Sequence, residues 1–391
     1  MNKNILHKDV QDFINSNLKS DITKLILKGS PFPLVSIQEI AEQISAKTKC
    51  KKKLPTWFTV NNIFYPNKLN IEQTSSEITA RYKSDLVSGK SLIDITGGFG
   101  VDTFYFSQKI KNVTHCEINK ELSNIVQHNL RALNINNITT QVRDGIEFLK
   151  EIDKKFDWIY TDPSRRSNTK GKVFLLEDCI PNIPTNINIL FQKTKNILIK
   201  VSPILDISSA INELKFVKEI HIIAIKNEVK ELLFILEKDY SKTIQICTIN
   251  INKETDEKFN FNLYKAEQAT YSEPKTYLYE PNSAILKSGA FQQISASLKV
   301  DKLHQHSHLY TSSNLIDFPG RKFEIQHCIP YDKKQLKKLI PSKKANITIR
   351  NFPESVSQIR KKTNLKDGGN QYLFFTTDIN NKHIVLVCSK V

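Results

Sequence analysis

The sequence predicts an α/β protein, in which a mostly parallel sheet covered by helices is preceded by a helical region and followed by a small α+β domain. Three observations predict this. Short β-rich apolar runs alternate with helical patterns between residues 91 and 250. Before residue 85, helical patterns are interrupted by prolines in KGSPFP (residues 28–33) and KKKLPTWF (residues 51–58). After Gly320 the runs follow a βαβαββ order.

The central strands are SLIDI, NVTHCEI, ITTQVRD, FDWIYTD, NILIKV, EIHIIAI and ELLFILE. Only residues 226–230 separate the last two, too few for a crossover helix, so these two runs should pair antiparallel at the far end of the sheet. Past residue 270 a helix opens near Asn282, and a strand-like stretch then places His304, His306 and His308 on alternate positions. The carboxyl-terminal order is KFEIQHCI, DKKQLKKLI, NITIRNF, PESVSQIRKKTNL, QYLFFTT and HIVLVCS, with Pro353 at a helix start and Gly368 and Gly369 at a turn.

At 391 residues the chain suggests two or three domains. It is 39% hydrophobic and 25% charged, with no apolar run near the ~20 residues of a membrane span, and its first residues lack the pattern of a secretory signal. A cytoplasmic protein with no membrane partner is expected. Its six cysteines are scattered without a CxxC pair, and three histidines on one strand face would stand about 7 Å apart, too far to converge on an ion. No metal site is expected. The net charge of +17 divides as +6 over residues 1–90, +2 over 91–300 and +9 over 301–391. That excess at the two ends fits an RNA partner through phosphate attraction, and it also fits a lysine-rich solvated surface.

LIDITGGFGVDT (residues 92–103) is an apolar strand running into a glycine-rich turn and a helix, which lets backbone approach a nucleotide-like ligand closely. A dinucleotide fingerprint beginning at Gly98 and Gly100 would need its third glycine at Thr103, where a branched residue argues against NAD. The order Asp94-x-Thr96-x-Gly98-x-Gly100 instead resembles motif I of class I methyltransferases, which implies a seat for S-adenosyl-L-methionine. Asp94, Thr96, Gly97, Gly98, Phe99, Gly100 and Asp102 are its candidate residues. The second strand ends at Glu117, followed by Ile118, where a carboxylate can accept hydrogen bonds from both ribose hydroxyls. The third ends at Asp144 and Gly145, and the resemblance implies that Asp144 faces the adenine. Each acid can alternatively serve only as a helix cap.

FDWIYTDPSRR (residues 156–166) delivers Asp162 and Pro163 at the end of the fourth strand. This resembles motif IV of methyltransferases acting on base nitrogens, and implies that the Asp162 carboxylate and the Pro163 carbonyl orient a target amine. Ser164 and Arg165 replace the second proline and the aromatic residue of that motif. Arg165 and Arg166 then either contact substrate or pair with Glu177 or Asp178. Lys200 ends the fifth strand, facing either the same crevice or solvent. Upstream, Gln73, Thr74, Ser75 and Thr79 occupy the segment that in related enzymes covers the cofactor's carboxylate end, and they equally suit a helix cap.

Together with KGSPFP, PTWF, EQTSSEITARY, YLYEPNSAILKSGAF and IRNFPESVSQIRKKTNLKDGGNQYLFFTT, these motifs give the whole chain a resemblance to bacterial class I methyltransferases with a carboxyl-terminal THUMP-like domain. Motif I alone also resembles that of cap guanine-N2 methyltransferases. The family resemblance implies a helical region at 1–85, a Rossmann-like methyltransferase domain at 86–270, a ferredoxin-like domain at 275–318 and the THUMP-like domain at 319–391. It implies methylation of a nucleobase nitrogen in transfer or ribosomal RNA, with Arg321, Lys322, Arg350, Arg360, Lys361 and Lys362 as candidate phosphate contacts. A protein or small-molecule substrate, and an RNA-binding module with a vestigial cofactor pocket, are the alternatives.

Overall fold

In the computed structural model, which describes residues 1–165 and 175–391, the central sheet has nine strands. They are β1 (Ser91–Asp94), β2 (Asn112–Cys116), β3 (Ile138–Gln141), β4 (Phe156–Thr161), β5 (Thr194–Val201), β6 (Val217–Ile225), β7 (Glu228–Glu237), β8 (Gln245–Ile251) and β9 (Glu257–Asn262). The order across the sheet is 9-8-6-7-5-4-1-2-3. Pairings among β3, β2, β1, β4 and β5 are all parallel. Ahead of the sheet come α1 (Lys8–Ser16), α2 (Ile22–Lys28), α3 (Ile37–Lys53), α4 (Pro55–Thr59), α5 (Lys68–Gln73) and α6 (Glu77–Asp85). Parallel neighbours need crossovers, and α7 (Val101–Phe106), α8 (Lys120–Ala132), α9 (Gly145–Glu151) and α10 (Ile183–Lys193) supply them. All strand carboxyl ends of this half therefore lie along one edge.

The hairpin of β6 and β7 turns on Lys226 and Asn227, whose φ angles of 50° and 64° are those of a two-residue turn that forces antiparallel pairing. Its place at the far end of the sheet is corrected. QICTINI and EKFNFN, unassigned from the sequence, form β8 and β9 and continue the sheet beyond it. In QICTINI, polar Thr248 and Asn250 are buried beside apolar neighbours, which hides its period of two, whereas EKFNFN alternates Phe with polar residues.

By internal contacts the chain separates into two compact units, Met1–Lys218 with Leu233–Ser241, and Glu219–Leu232 with Lys242–Val391. In the first, the amino-terminal helices share a core with the glycine-turn region. Trp57 packs on Phe99 and Phe104 at ring distances of 4.9 and 5.5 Å, beside Ile40, Ile44 and Ile125. Asn129 of α8 exchanges two hydrogen bonds with the backbone of Phe64 (2.8 and 2.9 Å), fixing the connecting segment.

In the second unit, a seven-stranded sheet covers residues 277–390. Tyr277–Pro281 pairs with Gly320–Pro330, which pairs with His383–Lys390. The βαβαββ order holds, with helices Lys333–Leu339 and Val356–Thr363 between the strands. The strand-like stretch around His304, His306 and His308 is corrected to a turn, closed by Leu303 and Leu309. His304 there bonds to Asn381 and Asn351, and His308 stacks on Phe291. No helix among the described residues is long and apolar enough to cross a membrane.

Candidate active site

β1 ends in Asp94, and the chain then reverses through Gly97, Gly98 and Gly100. Gly98 and Gly100 take φ angles of 55° and 77°, accessible to glycine at little cost. Gly97 is required for a different reason. A Cβ there would stand 2.3 Å from Nε2 of His115, a fully buried ring on β2. Burial lowers that imidazole to about 4, so a neutral ring props the turn from beneath. Gly97→Ala is expected to displace the turn and weaken cofactor binding at least about tenfold by calorimetry, since overpacking of this kind costs about 1–3 kcal/mol. Wild-type affinity in that variant would refute the arrangement.

Asp94 is buried, accepting from the Thr96 amide at 3.0 Å and the Thr103 hydroxyl at 2.7 Å. Burial pushes its carboxyl up to about 7 against those two bonds. Asp94 thus shapes the turn from within, and Thr103, the residue out of place in a dinucleotide site, holds it. Phe99 is likewise interior, its ring against Trp57. Glu117 sits half-buried at the end of β2, one oxygen accepting from the Gly98 amide (2.9 Å) and the other from the Asn119 amide (2.7 Å). Ile118 beside it is 72% exposed, as is Val142, at 47%, just past β3. Asp144 caps α9 through the amides of Ile146 and Glu147. Gly145 lies against the backbone of β1, where a Cβ would meet the Ile95 carbonyl at 2.4 Å. The tips of β2 and β3 therefore converge on the glycine turn.

The Asp-Pro corner joins the same cluster. The Asp162 amide donates to the Thr96 hydroxyl at 2.7 Å, so one side chain of the glycine turn holds the end of β4. Lys200, from the end of β5, approaches Asp162 Oδ2 at 2.5 Å. Oδ1 has no protein hydrogen bond among the described residues, and the side chain is 35% exposed. Pro163 is buried. The backbone of Ser164 and Arg165 pairs with Ile180 and Cys179. Arg166 lies outside the described residues, so neither its pairing with Glu177 or Asp178 nor a substrate role has a structural counterpart.

Beneath the turn is a polar hub that sequence reasoning missed. Asp102 accepts from Ser75 (2.8 Å) and Tyr160 (2.7 Å), and Lys83, wholly buried, stands 3.2 Å from its other oxygen. Burial opposes the Asp102 charge, but Lys83 and Lys200 outweigh it and hold the carboxyl below the usual range. Lys53 donates to the carbonyls of Ile71 and Glu72, and burial, followed by the charge of Lys200, lowers it to about 8. Ser75 therefore belongs to this hub, whereas Ser76 is the helix cap, accepting from the amide of buried Thr79. Gln73 is exposed and Thr74 half-buried at the preceding helix end. Only the burial of Lys83, a charge in ARYKSD, would have singled out the hub, and a sequence does not display it.

Of the candidate phosphate contacts, Arg321 and Arg350 converge on one acid, Glu280, which is 3% exposed. Arg321 Nε lies 2.5 Å from one oxygen and Arg350 Nη2 2.7 Å from the other. Arg360 binds the carbonyls of Leu365 and Ala345 and the carboxylate of Asp367. Lys322 pairs with Asp317 at 3.5 Å and Lys362 with Glu354 at 2.7 Å. Lys361 is exposed and makes no ion pair among the described residues. On the neighbouring helix, Lys333, Lys334, Lys337 and Lys338 are all exposed, as are Lys343 and Lys344 after it.

Family models match three stretches: a ferredoxin-like domain at residues 277–319, a THUMP domain-like region at 320–390, and the tellurite resistance protein TehB at 57–206. A comparison with curated proteins finds no match. The crystal structure of a "putative methyltransferase" from Porphyromonas gingivalis W83 superposes with a TM-score of 0.89 at 31% identity, covering 100% of this chain and 98% of that one. An rRNA methylase from Streptococcus thermophilus matches 42% of this chain and 98% of its own at 13% identity and TM-score 0.31. SMU.1697c from Streptococcus mutans, in complex with SAH, matches 41% and 96% at 15% identity and TM-score 0.30. With a full-length relative at 31% identity and the two matching terminal domains, the chain belongs to the methyltransferases that carry ferredoxin-like and THUMP-like domains.

Proposed function

We propose that the protein methylates a nucleobase nitrogen of RNA. The observation that carries the chemistry is the Asp162 carboxylate, with one oxygen clamped by Lys200 and the other open, tied through Thr96 to the glycine turn. When bound, S-adenosyl-L-methionine supplies an electrophilic methyl group. The backbone of Gly97, Gly98 and Gly100 gives it a close-fitting seat, and Glu117 has lone pairs left for the ribose hydroxyls. Ile118 and Val142 offer apolar surface for the adenine at the tips of β2 and β3. Asp144, spent on the cap of α9, lines that end through its carboxylate edge.

A target amine donating to Asp162 Oδ1 and to the Pro163 carbonyl has its lone pair aimed across the crevice. The carboxylate also stabilises the positive charge that grows on nitrogen during transfer. Lys200 fixes the rotamer of Asp162, so the acid does not pivot as substrate arrives. Because Arg321, Arg350 and Arg360 are engaged in internal pairs, the reading places RNA phosphates on Lys333, Lys334, Lys337, Lys338 and Lys361 instead.

Nucleoside mass spectrometry of RNA from cells with and without the gene tests this. A modified base should vanish on deletion and return when the purified enzyme and labelled S-adenosyl-L-methionine are added to the undermodified RNA. Label appearing on protein or a small metabolite, with RNA unchanged, would replace the RNA reading. Reversing Lys333, Lys334, Lys337 and Lys338 to Glu is expected to weaken RNA binding by about 10²-fold and flatten its salt dependence, with stabilisation by cofactor in thermal melts unchanged. Undiminished RNA affinity would remove this helix from the interface.

A further inference from the structure

The registers of β6, β8 and β9 assemble a second cluster of chemically reactive side chains, away from the residues assigned to methyl transfer. β8 runs parallel to β6 with Cys247 opposite His221 and Gln245 opposite Glu219. Residues two apart on a strand share a face, so Glu219, His221 and Cys247 lie together on one side of the sheet. His221 Nε2 stands 3.2 Å from Glu219 Oε2, and one ligand atom of each of the three residues falls within 4.8 Å of the others. His221 is buried, whereas Glu219 and Cys247 are part-exposed, so the cluster sits just under the surface.

On the same face, Gln245 lies opposite Glu219 and Asn262, and Asn260 lies opposite Cys247, so the surroundings of the cluster are polar. Because Glu219 and Cys247 are part-exposed, an ion and one further ligand have an approach from solvent. We infer that Glu219, His221 and Cys247 form a zinc site with three protein ligands and a fourth position open to solvent. A thiolate, an imidazole and a carboxylate suit Zn²⁺, whereas Mg²⁺ and Ca²⁺ call for all-oxygen cages. Tetrahedral bonds of about 2.0–2.3 Å put ligand atoms about 3.3–3.8 Å apart, so closure requires side-chain shifts of about 1 Å and no movement of the strands. Residues 26 positions apart gave the sequence no spacing signature, because the parallel register is what makes the set.

Metal analysis of the full-length, untagged protein, dialysed against zinc and freed of excess by gel filtration, tests the inference. About one zinc per chain is expected to remain, and cobalt loading should give a thiolate-to-metal charge-transfer absorption. Cys247→Ser should abolish that absorption and lower zinc retention to background, while Cys328→Ser, at the exposed cysteine on another strand, should leave both intact. Wild-type protein without bound zinc or the cobalt absorption would overturn the site, whatever the variants do. Cys247→Ser that retains metal like the wild type would overturn it too. Neither readout depends on methyl transfer, so the result is separate from the RNA reading.

Discussion

Asp162→Ala is expected to lower single-turnover methyl transfer by about 10³-fold while leaving cofactor affinity within a few-fold of wild type, as loss of one aligned transition-state group costs about 3–4 kcal/mol. The asymmetry follows from geometry. The bond that holds this corner to the glycine turn comes from the Asp162 backbone amide, which alanine keeps. The carboxylate alone faces the crevice, so its loss should fall on the rate. Asp162→Asn retains an acceptor oxygen and should recover part of the activity, although Lys200 then loses its counter-charge. Transfer of labelled methyl to RNA from a deletion strain, measured with enzyme in excess, is the assay. An alanine variant with the wild-type rate would remove Asp162 from the chemistry.

The second large effect concerns stability. Lys83→Met is expected to destabilise the protein by about 3–5 kcal/mol, because Asp102, a buried charge, would lose the nearer of its cations and keep the Ser75 and Tyr160 hydroxyls and the charge of Lys200. In a unit of this size that corresponds to a fall in Tm of about 10 °C by scanning calorimetry. The Asp102 carboxyl is held below its ordinary range in the folded state, so its stabilising contribution is complete at neutral pH. It disappears as pH drops through and below the normal carboxylate range. Lys83→Met should therefore lose most near pH 7 and converge with wild type in acid. Adding Asp102→Asn should restore part of the loss, as the amide carries no charge to strand. A Tm within 2 °C of wild type, where ~1 kcal/mol would already register, would mean that solvent reaches this pair.

How much was legible beforehand depended on whether a residue's task is local. Strand runs, the glycine turn and the acids at strand tips repeat at short range, and β1 to β7 were placed from them. The hairpin position failed because β8 carries buried Thr248 and Asn250 where a polar-out alternation would be expected, so the sheet is not seen to continue past the hairpin. At the site, the motif names residues that the fold brings together, but not the partners each of them takes. Asp94, Phe99 and Asp102 were expected to meet a ligand, yet Asp94 braces its own turn, Phe99 packs on Trp57 and Asp102 neutralises a lysine from α6 (Glu77–Asp85). Such duties are decided by partners far away in sequence. Glu280 shows the same principle, since its claim on Arg321 and Arg350 is visible only once residues 41 and 70 positions away are brought to it by the fold.

The hydroxyl of Thr96 has an evolutionary corollary. It reaches the acid behind it and the strand beside it, so neither loop can drift without dragging the other. Descendants of this enzyme are consequently freer to trade substrates by rebuilding the segment after Pro163 than by moving the corner itself, and a graft of either loop into a foreign scaffold should work only when both travel together.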